Sequence, residues 1–195
     1  MRSQADRGQA LRAALVEHAR DLVAREGPDR LTMRALADEA GCALGLPYKV
    51  FADRQELVLE LVRASFGDVH AKGEELLRRG GRGTVAANIA RFGEWLLDSP
   101  GVALAQHVMQ SPALAEAVVA DFHASRHGPT LLDGLLTDYL VAEQEAGRVS
   151  PDVDTSAFGF VLGGAIHHLV VMGEGYPRPS KRKLQRILGA VVDRL

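Results

Sequence analysis

Between Asp154 and Glu174 the chain carries no Asp, Glu, Lys or Arg. The longest apolar run inside that stretch, Ala157 to Met172 (AFGFVLGGAIHHLVVM), is 16 residues long. Phe158, Leu162, Ala165, Leu169 and Met172 recur at helical spacing on one face, and Val161, Gly164, His168 and Val171 fall on the neighbouring one. A membrane-spanning helix needs about 20 predominantly apolar residues. This run is shorter and includes two histidines and several glycines, so no membrane association is expected. A water-soluble helix that is apolar nearly all round must be covered nearly all round. Residues 154–173 therefore predict a central helix of a bundle or a subunit interface, with Gly159, Gly163 and Gly164 letting other helices approach closely.

The rest of the sequence supplies helices to cover it. Period-2 alternation, the mark of a half-buried strand, is missing. Leu11, Leu15, Ala19 and Leu22 predict a helix over 8–26, ended by Gly27-Pro28. Leu57, Leu61, Val62, Phe66 and Val69 predict a long helix from Asp53 to about Arg79. Further helices are expected at 84–98, 102–110, 112–126, 130–147 and 181–195, each bounded by Gly or Pro. With 195 residues, 47% hydrophobic and 25% charged, the chain has room for one or two globular domains. Its 23 Lys and Arg against 25 Asp and Glu exclude a nucleic-acid-coating basic protein, and a single Cys42 excludes an internal disulfide. The polar N-terminus lacks the apolar core of a signal peptide, so a cytoplasmic location is expected.

Residues 32–50 carry the sharpest local signal. Thr32 is a helix N-cap ahead of Met33, Leu36, Ala37 and Ala40. Gly41 supplies a tight turn, and a second short segment runs from Ala43 to about Val50. Two short helices about a glycine turn make either an ordinary corner in a helical core or the helix-turn-helix that enters a DNA major groove. More residues favour the second. Leu31-Thr32, Leu36-Ala37, Ala40-Gly41, Gly45, Tyr48, Phe51 and the run Asp53-Arg54-Gln55-Glu56-Leu57, together with Ala19 and Gly27 before them, resemble the N-terminal domain of TetR-like transcriptional regulators over residues 8–62. Arg54 stands where that family usually has Lys.

The resemblance implies an all-α fold in two domains. A helix-turn-helix DNA-binding domain of three helices (1–52) is joined by a long helix to a helical ligand-binding and dimerisation bundle (53–195). On this reading Thr32, Arg34, Ala43, Leu46, Tyr48, Lys49 and Arg54 contact DNA. Thr32, Tyr48, Lys49 and Arg54 suit backbone phosphates, and Ala43 and Leu46 suit thymine methyl groups. Two features temper it. Residues 1–66 hold ten basic and ten acidic side chains, so any electrostatic attraction must come from placement. The segment Cys42 to Pro47 offers almost no hydrogen-bonding side chains, and Pro47 disfavours helical geometry at Leu46. A shortened or re-angled recognition helix is expected, with Pro47 tolerated in its first turn.

The family resemblance also implies a small-molecule effector in the C-terminal bundle. Phe92, Trp95, Leu96, His107, Met109, Phe122, Leu135, Tyr139 and Phe158 are the candidate lining residues. Phe160, Val161, Gly164, His168 and Val171, with Leu184, Ile187, Leu188, Val191 and Leu195 of the last helix, are the candidate homodimer interface, and a dimer calls for a near-palindromic operator. His123 and His127 share a helical face, but without an H-E-x-x-H pattern no metal is expected, and no cofactor either. Walker, dinucleotide and nucleophile-elbow motifs are missing, so an enzyme is not expected. The leading expectation is a ligand-responsive regulator, most simply a repressor. The alternative is a helical small-molecule-binding or interaction module on the same scaffold with DNA binding weakened or lost.

Overall fold

The computed structural model describes residues 4–124, 131–172, 177 and 179–192. Among them every long regular element is an α-helix: α1 Gln4–Glu26, α2 Met33–Glu39, α3 Gly45–Val50, α4 Arg54–Leu77, α5 Val85–Leu97, α6 Pro100–Met109, α7 Pro112–Ala124, α8 Leu131–Glu145, α9 Thr155–Val171 and α10 Lys181–Val192. A short 3-10 turn, Pro28–Arg30, which the sequence reading treats only as a break, separates α1 from α2. The fold is all-α with an N-terminal helix-turn-helix.

The chain forms two compact units: Met1–Ser65 with Ala103–Val119, and Phe66–Val102 with Ala120–Leu195. The first unit takes in the first half of α4, most of α6 and the start of α7.

In the first unit, Leu15, Ala19 and Leu22 of α1 pack with Leu31, Leu36, Ala37, Phe51, Leu57 and Leu61 in one buried set. Each such buried side chain removes apolar surface worth about 1.5–3 kcal/mol from water. Helix starts follow the expected capping chemistry. The Thr32 hydroxyl accepts from the Ala35 N–H at 3.0 Å. At the start of α4 the Glu56 N–H donates to Asp53 Oδ1 at 2.9 Å, while the Ala52 N–H donates to Glu56 Oε2 at 2.7 Å. This reciprocal pair is a capping box shifted by one residue.

In the second unit, α8 packs on α9 and α5 on α10. The core gathers Ile89, Phe92, Leu136, Tyr139, Leu140, Leu162, Ile166 and Leu188. The α8–α9 contact is close because two glycines face α8. A Cβ on Gly159 would lie 2.8 Å from the Asp133 carbonyl oxygen, and one on Gly163 would lie 3.0 Å from the Asp133 nitrogen. Gly164 instead faces open space. Among the described residues one side of α9 is covered: Gly159, Leu162, Gly163 and Ile166 are buried, while Phe160 and Val161 are 67% and 53% exposed.

Leu184 and Leu188, two of the interface candidates, lie in this chain's own core, where the apolar stripe of α10 packs on α5. Of the same stripe, Ile187 is exposed and Val191 half-buried. Phe160, Val161, Gly164 and His168 lie on the outer side of α9, and Val171 is half-buried. Leu195 lies outside the described residues, as does His127.

The second unit also holds a buried polar cluster that sequence reasoning missed. Glu143 on α8 is fully buried, and its carboxylate accepts from the Tyr139 hydroxyl, from Arg148 and, at 3.1 Å, from the Gly81 N–H. Asn88 Nδ2 donates to the Tyr139 oxygen at 2.8 Å and to the Arg82 carbonyl at 2.7 Å. Burial alone would push the Glu143 carboxyl up, but Arg148, Tyr139 and the Gly81 N–H outweigh it and hold it below the usual range. Burial and the adjacent carboxylate push the Tyr139 phenol up. The cluster ties the turns after α4 and α8 to the core.

Candidate nucleic-acid interface

Helix α2 ends where Gly41, at φ 60°, enters the left-handed region open to glycine. The Cys42 N–H closes back onto the Ala37 carbonyl at 3.0 Å, completing the turn. Ala37 is buried, and its small side chain lets α2 sit close to its neighbours. Helix α3 follows with six residues only. Pro47 is its third residue and is buried, so its missing N–H falls among those that a first turn leaves unpaired. A short recognition helix with Pro47 in its first turn is what the sequence predicts.

The outer face of this unit carries Arg34, Ala43, Leu44, Tyr48 and Lys49, all exposed, with Tyr48 at 56%. Leu46 is half-buried behind them. Thr32 is exposed at the start of α2, although its hydroxyl is engaged in capping. The face thus offers a phenol, an ammonium, a guanidinium and a few apolar groups on two short helices. Leu44, 41% exposed, is a further apolar group beside the Ala43 and Leu46 that the sequence singles out.

Arg54 is placed differently from the phosphate clamp expected of it. Its Nε donates to the Leu31 carbonyl at 2.6 Å and one terminal nitrogen donates to the Pro28 carbonyl at 3.1 Å. That same nitrogen lies 3.0 Å from His107 Nε2. The guanidinium is turned inward onto the carbonyls of Leu31 and Pro28, the latter also accepting from the Leu31 N–H at 3.2 Å. Arg12 is a second positioning residue, and one that periodicity alone could not flag. It donates to the Val50 carbonyl at the end of α3 at 2.8 Å, pairs with Glu56 at 2.6 Å and Glu60 at 3.0 Å, and lies 4.8 Å from the centre of the Phe51 ring. Arg25 joins α1 to Glu39 of α2 at 2.5 Å.

The effector-lining candidates do not gather at one site. Phe92, Leu96, Leu135 and Tyr139 are buried in the core of the second unit, with Trp95 and Phe158 half-buried beside them. Phe122 meets Phe66 edge to face at 4.7 Å. His107 and Met109 belong to the first unit, where Met109 is exposed and His107 contacts Asp29 and Arg54.

Residues 15–61, which span this helix-turn-helix, match the model of bacterial regulatory proteins of the tetR family. Over these N-terminal helices the chain is similar to the tetR family of regulators. No curated protein matches it over the chain. Its fold is similar to that of a Mesorhizobium loti protein assigned to the TetR-family transcriptional regulators, at TM-score 0.71 and 18% identity, covering 96% of each chain. A transcriptional regulator of Pseudomonas aeruginosa is similar at TM-score 0.61 and 21% identity over 95% of this chain and 89% of its own. The transcriptional regulator FadR of Bacillus subtilis, solved in complex with stearoyl-CoA, is similar at TM-score 0.57 and 17% identity over 93% of this chain and 95% of its own. Identities this low speak for the TetR-like fold alone. No helix among the described residues is long and apolar enough to cross a membrane.

Proposed function

We propose that this protein is a ligand-responsive transcriptional repressor that binds a near-palindromic operator as a homodimer. The observation that carries the DNA reading is the exposed Tyr48–Lys49 edge of α3, presented by a helix-turn-helix whose other side is locked into the core by Arg12, Phe51 and Leu57. Lys49 and Arg34 supply charge for phosphates, and Ala43, Leu44 and Leu46 supply apolar contact. With so few hydrogen-bonding side chains on α3, direct readout rests on methyl contacts and on the shape of the DNA.

The dimer reading rests on the uncovered side of α9. Phe160, Val161, Gly164 and Ala165 form a contiguous exposed apolar surface, and a large patch of this kind marks an interaction site. Exposed Ile187 of α10 is the further apolar group assigned to the interface. A twofold partner through these helices would place two α3 helices on half-sites about 34–36 Å apart. The effector is proposed to enter the C-terminal bundle beside Trp95 and Phe158. The similar FadR structure holds stearoyl-CoA, which makes a long apolar ligand the first to test here.

Titration of labelled duplex with purified protein at several salt concentrations tests this. Affinity should fall steeply with salt, and Lys49→Ala should reduce the slope by about one. A folded dimer that holds no duplex at any salt would favour the module without DNA binding.

A further inference from the structure

The contacts of Arg54 fix the proton on His107. Arginine is donor-only at any accessible pH. Its terminal nitrogen lies 3.0 Å from His107 Nε2, so Nε2 must accept and carries no proton. Nδ1 therefore holds the proton and donates it to Asp29 Oδ1 at 3.0 Å. His107 is largely buried, at 16% side-chain exposure, whereas Asp29 is 86% exposed. The charged groups in contact with the imidazole are Asp29 from the 3-10 turn and Arg54 from α4.

We propose that Asp29, His107 and Arg54 form a proton-sensitive clasp on the start of α2, closed when His107 is neutral and opened when Nε2 takes up a proton from solvent. In the closed state His107 steadies the guanidinium that holds the Pro28 and Leu31 carbonyls. Leu31 immediately precedes Thr32, the N-cap of α2, and its side chain is fully buried. Protonation puts an N–H where the acceptor was, and sets two cations 3.0 Å apart with no acceptor between them. Asp29 stabilises the resulting imidazolium, so the open state has a ready ion pair while Arg54 withdraws. The backbone bonds left within the turn are long, 3.3 Å for Arg30 N–H to Gly27 and 3.2 Å for Leu31 N–H to Pro28. Imidazole is the side-chain group whose ordinary titration range falls between pH 5 and 8, so the test spans that range. His107 is thus a positioning residue for the helix-turn-helix. Its consequence for DNA rests on the function proposed above, whereas the clasp itself does not.

Hydrogen exchange of the full-length protein separates the two. Protection of residues 28–36, corrected for intrinsic exchange, is compared at pH 8 and pH 5.5 in the wild type, His107→Gln and His107→Ala. Loss of a hydrogen bond to a charged group corresponds to about tenfold or more in a local opening equilibrium. The wild type should lose protection about tenfold at pH 5.5. His107→Gln keeps an acceptor that cannot titrate and should be protected at both values, and His107→Ala at neither. Equal pH responses in wild type and His107→Gln, or full protection in His107→Ala at pH 8, would overturn the clasp. Binding of the duplex enriched from fragmented genomic DNA is then followed over the same pH range. Wild-type binding that weakens at pH 5.5 while His107→Gln does not extends the clasp to DNA, and equal binding by both removes that consequence. A wild type that enriches no duplex refutes the DNA reading and leaves the exchange result standing.

Discussion

Alanine at Gly159 tests the packing that organises the second unit. A Cβ there would lie 2.8 Å from the Asp133 carbonyl oxygen and 2.9 Å from the Thr137 nitrogen, where ordinary contact begins at 3.4 Å. The deficit is about 0.6 Å against backbone atoms that no rotamer change can move. Overpacking of this kind costs about 1–3 kcal/mol. Alanine in a helix regains about 0.5–1 kcal/mol over glycine. The mid-range net loss is about 1 kcal/mol, or roughly 2–4 °C in a chain of this size. Gly134 on α8 is the control, since a Cβ there meets nothing within 4 Å. Gly134→Ala should therefore raise the melting temperature by roughly 1–3 °C. Thermal melts followed by circular dichroism at 222 nm read both. A Gly159→Ala protein melting at or above wild type would refute the close α8–α9 crossing.

Tyr139→Phe removes the hydroxyl shared by Asn88 and Glu143, and should cost about 1–3 kcal/mol in urea unfolding because two buried polar groups lose a partner. The lowered Glu143 carboxyl gives the acid limb of stability. Its contribution is fully present above the unfolded carboxylate's value, about 4.3, and is lost as pH falls through the lower folded value. Stability of the wild type should fall more steeply below pH 4 than that of Glu143→Gln, as read by unfolding at stepped pH. Phe160→Glu, on the exposed side of α9, should leave the melting temperature of the single chain nearly unchanged and shift sedimentation from dimer to monomer. A dimer that persists would move the interface elsewhere.

The helix-turn-helix was legible because its constraints are local. Thr32 caps, Gly41 turns, and Asp53 with Glu56 opens α4, each through bonds within a few residues. Helix ends agree to within a few residues for the same reason. What the sequence could not show depends on which side of a helix meets which neighbour. Leu184 and Leu188 share an apolar stripe with Ile187, and periodicity cannot tell a stripe facing α5 from one facing a partner chain. Arg54 and Arg12 look like surface cations in any one-dimensional pattern, and only the carbonyls of Leu31, Pro28 and Val50 turn them inward. The Tyr139–Glu143 pair, four residues apart on α8, was open to being seen as a buried hydrogen bond, but Asn88 and Arg148 reach it from other elements. His107 was placed among effector contacts by residue type, and its bonds to Asp29 and Arg54 lie within the first unit.

The central claim is sequence-selective DNA binding by a twofold dimer. Purified protein is mixed with fragmented genomic DNA at moderate salt, and the retained fragments are sequenced. The account predicts enrichment of a short near-palindrome with half-sites about one helical turn apart. Retention of fragments without any shared sequence, by a folded dimer, would contradict it.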